Sequence, residues 1–141
     1  MKTLRWLPAL ILCLFIFHQS SLSSTASSGL SLRITEWIYP AFAWIEKQTF
    51  HFLIRKAAHF SEFFMLGLSL LWPLKESSHR FLYFVLCICI PVCDEAIQYF
   101  TPGRAAMITD CMIDASGMLC AWLSGSILKP KEGKYNEHLE P

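Results

Sequence analysis

Eight polar residues, gathered in three short stretches of an otherwise apolar chain, hold most of the chemistry open to this protein. Arg55, His59 and Glu62 stand four and three residues apart, which on a helix puts them on one stripe. Asp94 and Gln98 are four apart with Glu95 beside them, and Asp110 and Asp114 repeat the spacing. A histidine and a glutamate three apart can serve as a general base and the group that orients it. Asp94, Glu95, Asp110 and Asp114 offer hard oxygen donors, a set that favours Mg²⁺ over zinc. Arg55 and Arg104 bring positive charge and Gln98 brings amide hydrogen bonds, the chemistry that binds an anionic ligand. No serine or cysteine stands out as a nucleophile. Ser61 lies off the Arg55 stripe, and the six cysteines sit in apolar runs, where a thiol packs as a small hydrophobe.

The elements that position these residues follow from composition and patterning. With 141 residues, of which 54% are apolar, the chain has room for one domain and is too apolar for an ordinary soluble one. Net charge is +1 with Lys and Arg scattered, which excludes the basic stripe that nucleic-acid binding needs. The fold expected is all-α: an integral membrane helical bundle of about four transmembrane helices with short loops. Trp6 to Phe17 reads either as a short first span or as a signal peptide cleaved after Ala26, and a retained helix is the preferred assignment. With the Ser-rich linker it forms an N-terminal unit over 1–28. Residues 29–54 read as an interfacial amphipathic segment, with Trp37, Tyr39 and Trp44 at the membrane surface. Residues 55–128 hold three further spans, over 57–74, 81–100 and 105–128, and 129–141 form a charged cytoplasmic tail. Between the last two spans, Thr101-Pro102-Gly103-Arg104 places Pro and Gly as a type II turn requires.

Lys2, Arg5, Lys75, Arg80, Lys129, Lys131 and Lys134 outnumber the basic residues on the other side, so both termini are expected in the cytoplasm. All three polar stripes then fall at the outer ends of their helices, roughly 5 to 15 Å below the membrane surface. A charge facing lipid at that depth is costly, so the stripes should face one another or line a water-filled cleft. Gly117, Ala121 and Gly125 recur every fourth residue, a small-residue face for close helix packing. Pro91 is placed to kink its helix just before Asp94. Arg55, Lys56 and Arg104 could also neutralise the acids as a purely structural ion-pair network. Five acids would still face three cations, and the surplus points to a bound cation, a proton or a ligand. Lys56 lies about 100° off the Arg55 stripe and is expected to reach the headgroups.

Three strings carry a resemblance: Arg55-Lys56-Ala57-Ala58-His59-Phe60-Ser61-Glu62-Phe63, then Asp94-Glu95-Ala96-Ile97-Gln98-Tyr99-Phe100-Thr101-Pro102-Gly103-Arg104, then Asp110 with Gly117. Over about residues 55 to 125 the chain resembles the VanZ-like family. It departs from the family pattern at Asp114, where the pattern carries Asn. The resemblance implies a small multi-pass protein of the bacterial inner or plasma membrane. It also implies a link to glycopeptide resistance, because the family's founder is associated with low-level teicoplanin resistance.

The function expected is that of a non-enzymatic envelope protein. Its outward cleft would bind an envelope lipid or wall precursor through Arg55, Gln98 and Arg104, with the bilayer as its other partner. The alternative is a small membrane hydrolase or transferase that uses His59 and Glu62, with a divalent cation as cofactor held by the acidic cluster.

Overall fold

The computed structural model describes residues 3–74 and 79–127, and the expected charged tail lies outside them. The described residues form helices joined by turns, with no strand among them.

After a 3₁₀ turn, Thr3–Trp6, comes α1, Leu7–Ser21, which takes Pro8 in its first turn, where a missing backbone N–H costs nothing. Extended backbone at Leu22 ends it. The Ser-rich stretch, expected as a linker, instead starts α2, Ser24–Ile38, because the Ser23 side chain accepts a hydrogen bond from the Ala26 N–H and caps the helix. Pro40 cannot continue α2, and a 3₁₀ turn over Tyr39–Phe42 follows. Rings of Tyr39, Phe42 and Phe50 pack at 5.3 to 5.7 Å, while Trp37 and Trp44 stay exposed.

The next helix, α3, covers Lys47–Leu71, ten residues earlier at its start than the span expected from Ala57. Charged residues at 47, 55, 56 and 62 lower its average hydropathy and hide this continuity. Its buried residues Phe63, Leu66, Gly67 and Leu70 stand three, four and seven apart on one helical stripe, while Phe50, near its start, is buried against the Tyr39 and Phe42 rings. Helix α4, Arg80–Phe100, carries Pro91 fully buried in its interior, and α5, Ile108–Ile127, follows the Thr101–Arg104 turn.

Although α4 separates them in sequence, α3 and α5 make the most extensive helix pair. Small residues permit it. A Cβ added at Gly117 would lie 2.6 Å from the Phe60 carbonyl oxygen, and one at Gly67 would lie 2.8 Å from Ala121 Cβ. The Tyr83 hydroxyl locks α4 to the pair by donating to the Met118 carbonyl at 2.8 Å. Ile16 of α1, Phe63, Leu66 and Leu70 of α3, Tyr83 and Cys87 of α4, and Met118 of α5 make the core.

Among the described residues, two helical stretches, Thr3–Ser21 and Arg80–Phe100, are long and apolar enough to cross a membrane, against the four spans expected. Only 17% of the first and 33% of the second is buried, whereas the core helix of a soluble protein would be mostly covered. Length and composition alone give the first of them the character of a signal sequence as well. The charged stripes of α3 and α5 keep those helices from passing the same test.

Candidate functional site

The three stripes meet at one end of the bundle, beside the α1–α2 corner and the turn before α5. At the centre are His59, Asp94 and Asp114, one from each of α3, α4 and α5. A ligand atom from each lies within 4.8 Å of the other two, and both aspartates are completely buried. His59 Nδ1 stands 3.5 Å from Asp114 Oδ1, close enough for an ion pair and at the far limit of hydrogen-bond distance. The Gln98 amide donates to Asp94 Oδ2 at 2.8 Å and to Ser20 Oγ at 3.5 Å, which fixes the Asp94 carboxylate from one side. Asp94 Oδ1, both Asp114 oxygens and His59 Nδ1 have no hydrogen-bond partner among the described residues. Groups so deeply buried are normally satisfied, so each of these four atoms needs an explanation.

The remaining polar residues divide into tethers and cavity walls. Lys56 pairs with Asp110 and packs 4.9 Å from the Phe52 ring centre, which corrects the headgroup assignment. Its 100° offset from the Arg55 stripe turns it toward α5. Glu95 Oε2 accepts from the Met107 N–H at 2.7 Å and so places a carboxylate at the start of α5, where backbone donors are free. Arg104 donates to the Gln19 and Ser20 carbonyls at 3.3 and 3.2 Å and to Ser27 Oγ at 2.7 Å, clamping the α1–α2 corner. Burial, and next the charge of nearby Arg55, hold its guanidinium below the usual pKa, and an arginine keeps its proton in a protein. The turn beneath is closed by Arg104 N–H donating to the Thr101 carbonyl at 3.2 Å, with Gly103 at φ 74°. Pro102 stands before it, and its carbonyl accepts from the Ser24 N–H at 3.4 Å. Those values match the type II turn expected of Pro102-Gly103. Gly117 lies one turn below Asp114 and sets how closely α3 and α5 approach.

Arg55 is half-buried and has no hydrogen-bond or ion-pair partner among the described residues. It lines two cavities. One, of about 160 Å³, has Arg55, Lys56, His59, Gln98, Arg104 and Asp110 in its wall; the other, of about 100 Å³, adds Glu62, Ser20 and Ser27. His59 and Arg104 also line both. The arrangement can hold an anion against Arg55 from the cavity side and a cation at the buried centre. Glu62 shares a cavity with His59, whose ring presents Nδ1 to Asp114. Ser20, Ser27 and the Gln19 carbonyl are site components that no sequence pattern marks, because serines on an apolar helix look alike whichever way they face.

A family model described as VanZ/LLP1 matches residues 5–129, which includes α1 and α2 as well as the polar core. No curated protein and no solved structure matches the chain. The matched span takes in every helix and every residue of the site just described, and on that match the chain belongs to the VanZ/LLP1 family.

Proposed function

We propose that this protein resides in the bacterial cell membrane as a multi-pass bundle, with α3 and α5 also crossing, and binds an anionic envelope lipid or lipid-linked wall precursor in its polar cleft. The observation that carries this reading is Arg55: a half-buried guanidinium with no partner, facing both cavities beside Arg104 and Lys56. An unpaired guanidinium in such a place lacks its best counterpart, a bidentate carboxylate or phosphate. Arg104 already spends donors on α1 and α2, and Lys56 holds Asp110, so Arg55 is the ligand's main contact.

The bilayer reading is supported by bulky apolar residues left uncovered around the bundle, including Phe81, Ile88, Phe100 and Ile108. The distribution of Lys and Arg favours an extracytoplasmic cleft, the side on which glycopeptides meet wall precursors, and a contribution to teicoplanin resistance follows from that placement.

Binding of phosphatidylglycerol against phosphatidylcholine, measured on the purified protein in nanodiscs, tests the ligand class. Arg55→Ala should lose about tenfold or more in affinity for the anionic lipid, the usual scale for a charge-assisted contact. Equal binding by the wild type and Arg55→Ala would remove the proposal. The side of the membrane is read by Ala106→Cys in a Cys-free background, an exposed site close to the turn. Labelling by an impermeant thiol reagent on intact cells supports the outer face, and labelling only after lysis overturns it.

A further inference from the structure

We propose that His59, Asp94 and Asp114 form a binding site for a single divalent transition-metal ion, Mn²⁺ or Zn²⁺, at the junction of α3, α4 and α5. This site is separate from the Arg55 contact and does not rest on it.

Three observations converge. Ligand atoms from the three residues already lie within 4.8 Å of one another, so small rotamer changes suffice to bring them around one ion. Both aspartates are completely buried, and Asp94 Oδ1, Asp114 Oδ1 and Oδ2 and His59 Nδ1 have no hydrogen-bond partner among the described residues. Of the neighbouring cations, Lys56 is committed to Asp110 and Arg104 to the α1–α2 corner, and Arg55 makes no ion pair with either aspartate. Two carboxylates taken out of water with a single imidazole 3.5 Å from one of them cost several kcal/mol each. A divalent ion supplies two positive charges to two carboxylates and a neutral imidazole. A single proton would satisfy one oxygen and leave the others bare.

The surroundings also suit a metal. Gln98 donates to Asp94 and touches Ser20, the kind of outer hydrogen bond that orients a ligating carboxylate. His59 lines both cavities, which gives the ion a path in and leaves coordination positions open to water. The acids alone would select Mg²⁺, but an imidazole ligand shifts preference toward the first-row transition metals.

The test uses the full chain purified in detergent without added lipid, so that failure of metal binding is distinct from failure of the Arg55 reading. After dialysis against trace Mn²⁺ and Zn²⁺, elemental analysis should find about one equivalent of one of them per chain, and EDTA should lower the melting temperature. His59→Ala and Asp114→Asn should each weaken Mn²⁺ binding by well over tenfold. Gln98→Leu should weaken it by about 10- to 100-fold, as loss of an outer hydrogen bond does, and the exposed Glu36→Gln should not change it. Because a core variant can fail to fold, the wild type carries its own signature: ¹⁴N modulation in the electron spin echo of bound Mn²⁺, arising from the His59 ring. Substoichiometric metal with no shift in melting temperature on adding Mn²⁺ or Zn²⁺ would overturn the proposal. So would bound Mn²⁺ without nitrogen coupling, or binding unchanged in both His59→Ala and Asp114→Asn.

Discussion

Replacing Gly117 by alanine should separate α3 from α5 and damage the polar centre with them. The new Cβ would sit 2.6 Å from the Phe60 carbonyl oxygen and 3.1 Å from the Phe64 nitrogen, where ordinary contact begins at 3.4 Å. Both obstructing atoms are backbone, so no rotamer change relieves the clash and the helices must part by about 0.8 Å. Such overpacking costs about 1–3 kcal/mol, and the better helix propensity of alanine returns about 0.5–1 kcal/mol, leaving a net loss of up to about 2.5 kcal/mol and about 1 kcal/mol at mid-range. For a chain of this size that lowers the melting temperature by up to about 8 °C, and by about 3 °C at mid-range. Gly29→Ala is the internal control, since nothing lies within 4 Å of its added Cβ and α2 should gain from the substitution. Thermal unfolding in one detergent, followed by circular dichroism, compares the two. Because His59 neighbours Phe60, the same displacement moves its ring away from Asp114, and Gly117→Ala should weaken Mn²⁺ binding while Gly29→Ala does not. A Gly117→Ala protein that melts at or above the wild-type temperature would refute the close approach of α3 and α5.

Lys56→Met leaves the buried Asp110 carboxylate without its partner and should cost about 3 kcal/mol, most of it recovered in the Lys56→Met/Asp110→Asn double variant. A double-mutant cycle with no coupling would show the pair to be screened by solvent. Arg104→Lys keeps the charge but not the fork that holds two carbonyls and a serine. It should cost about 1–3 kcal/mol and make the α1–α2 corner more susceptible to limited proteolysis, and an unchanged cleavage pattern would argue against the clamp. Tyr83→Phe should cost about 1 kcal/mol by leaving the Met118 carbonyl unpaired, and a neutral result would mean that α4 is held by packing alone.

Helical periodicity made the polar end of the bundle legible. Spacings of three and four are fixed by backbone geometry, and a charge avoids lipid whichever neighbour it meets, so three stripes on three helices could be read before any contact was known. The partners of those charges were not legible, because they depend on which helices approach. Lys56 was expected at the headgroups, with a place in an ion-pair network as the other reading, and is engaged by Asp110 from α5. Arg104 looked like a match for the acids and is taken up by carbonyls at the end of α1, 84 and 85 residues away in sequence. Glu62 and His59 share a stripe, yet Asp114 stands at the ring nitrogen. The Ser-rich stretch read as a linker because Ser favours loops, but one serine in the N-cap position turns the same composition into the start of a helix.

The dense pairing of α3 with α5 across an intervening helix bears on how the chain is made. As α3 leaves the ribosome, Lys56 and His59 have nothing to meet, because Asp110 and Asp114 are still more than fifty residues from being synthesised. Helix α4 can enter the bilayer unaided by its own hydropathy, but α3 gains its electrostatic partners only when α5 arrives. On the membrane reading proposed above, insertion and final assembly are separate events, and α5 supplies the closing contacts to α3. A chain truncated before Ile108 would leave α3 cationic and without its α5 partners, a ready mark by which quality control could recognise an unfinished molecule.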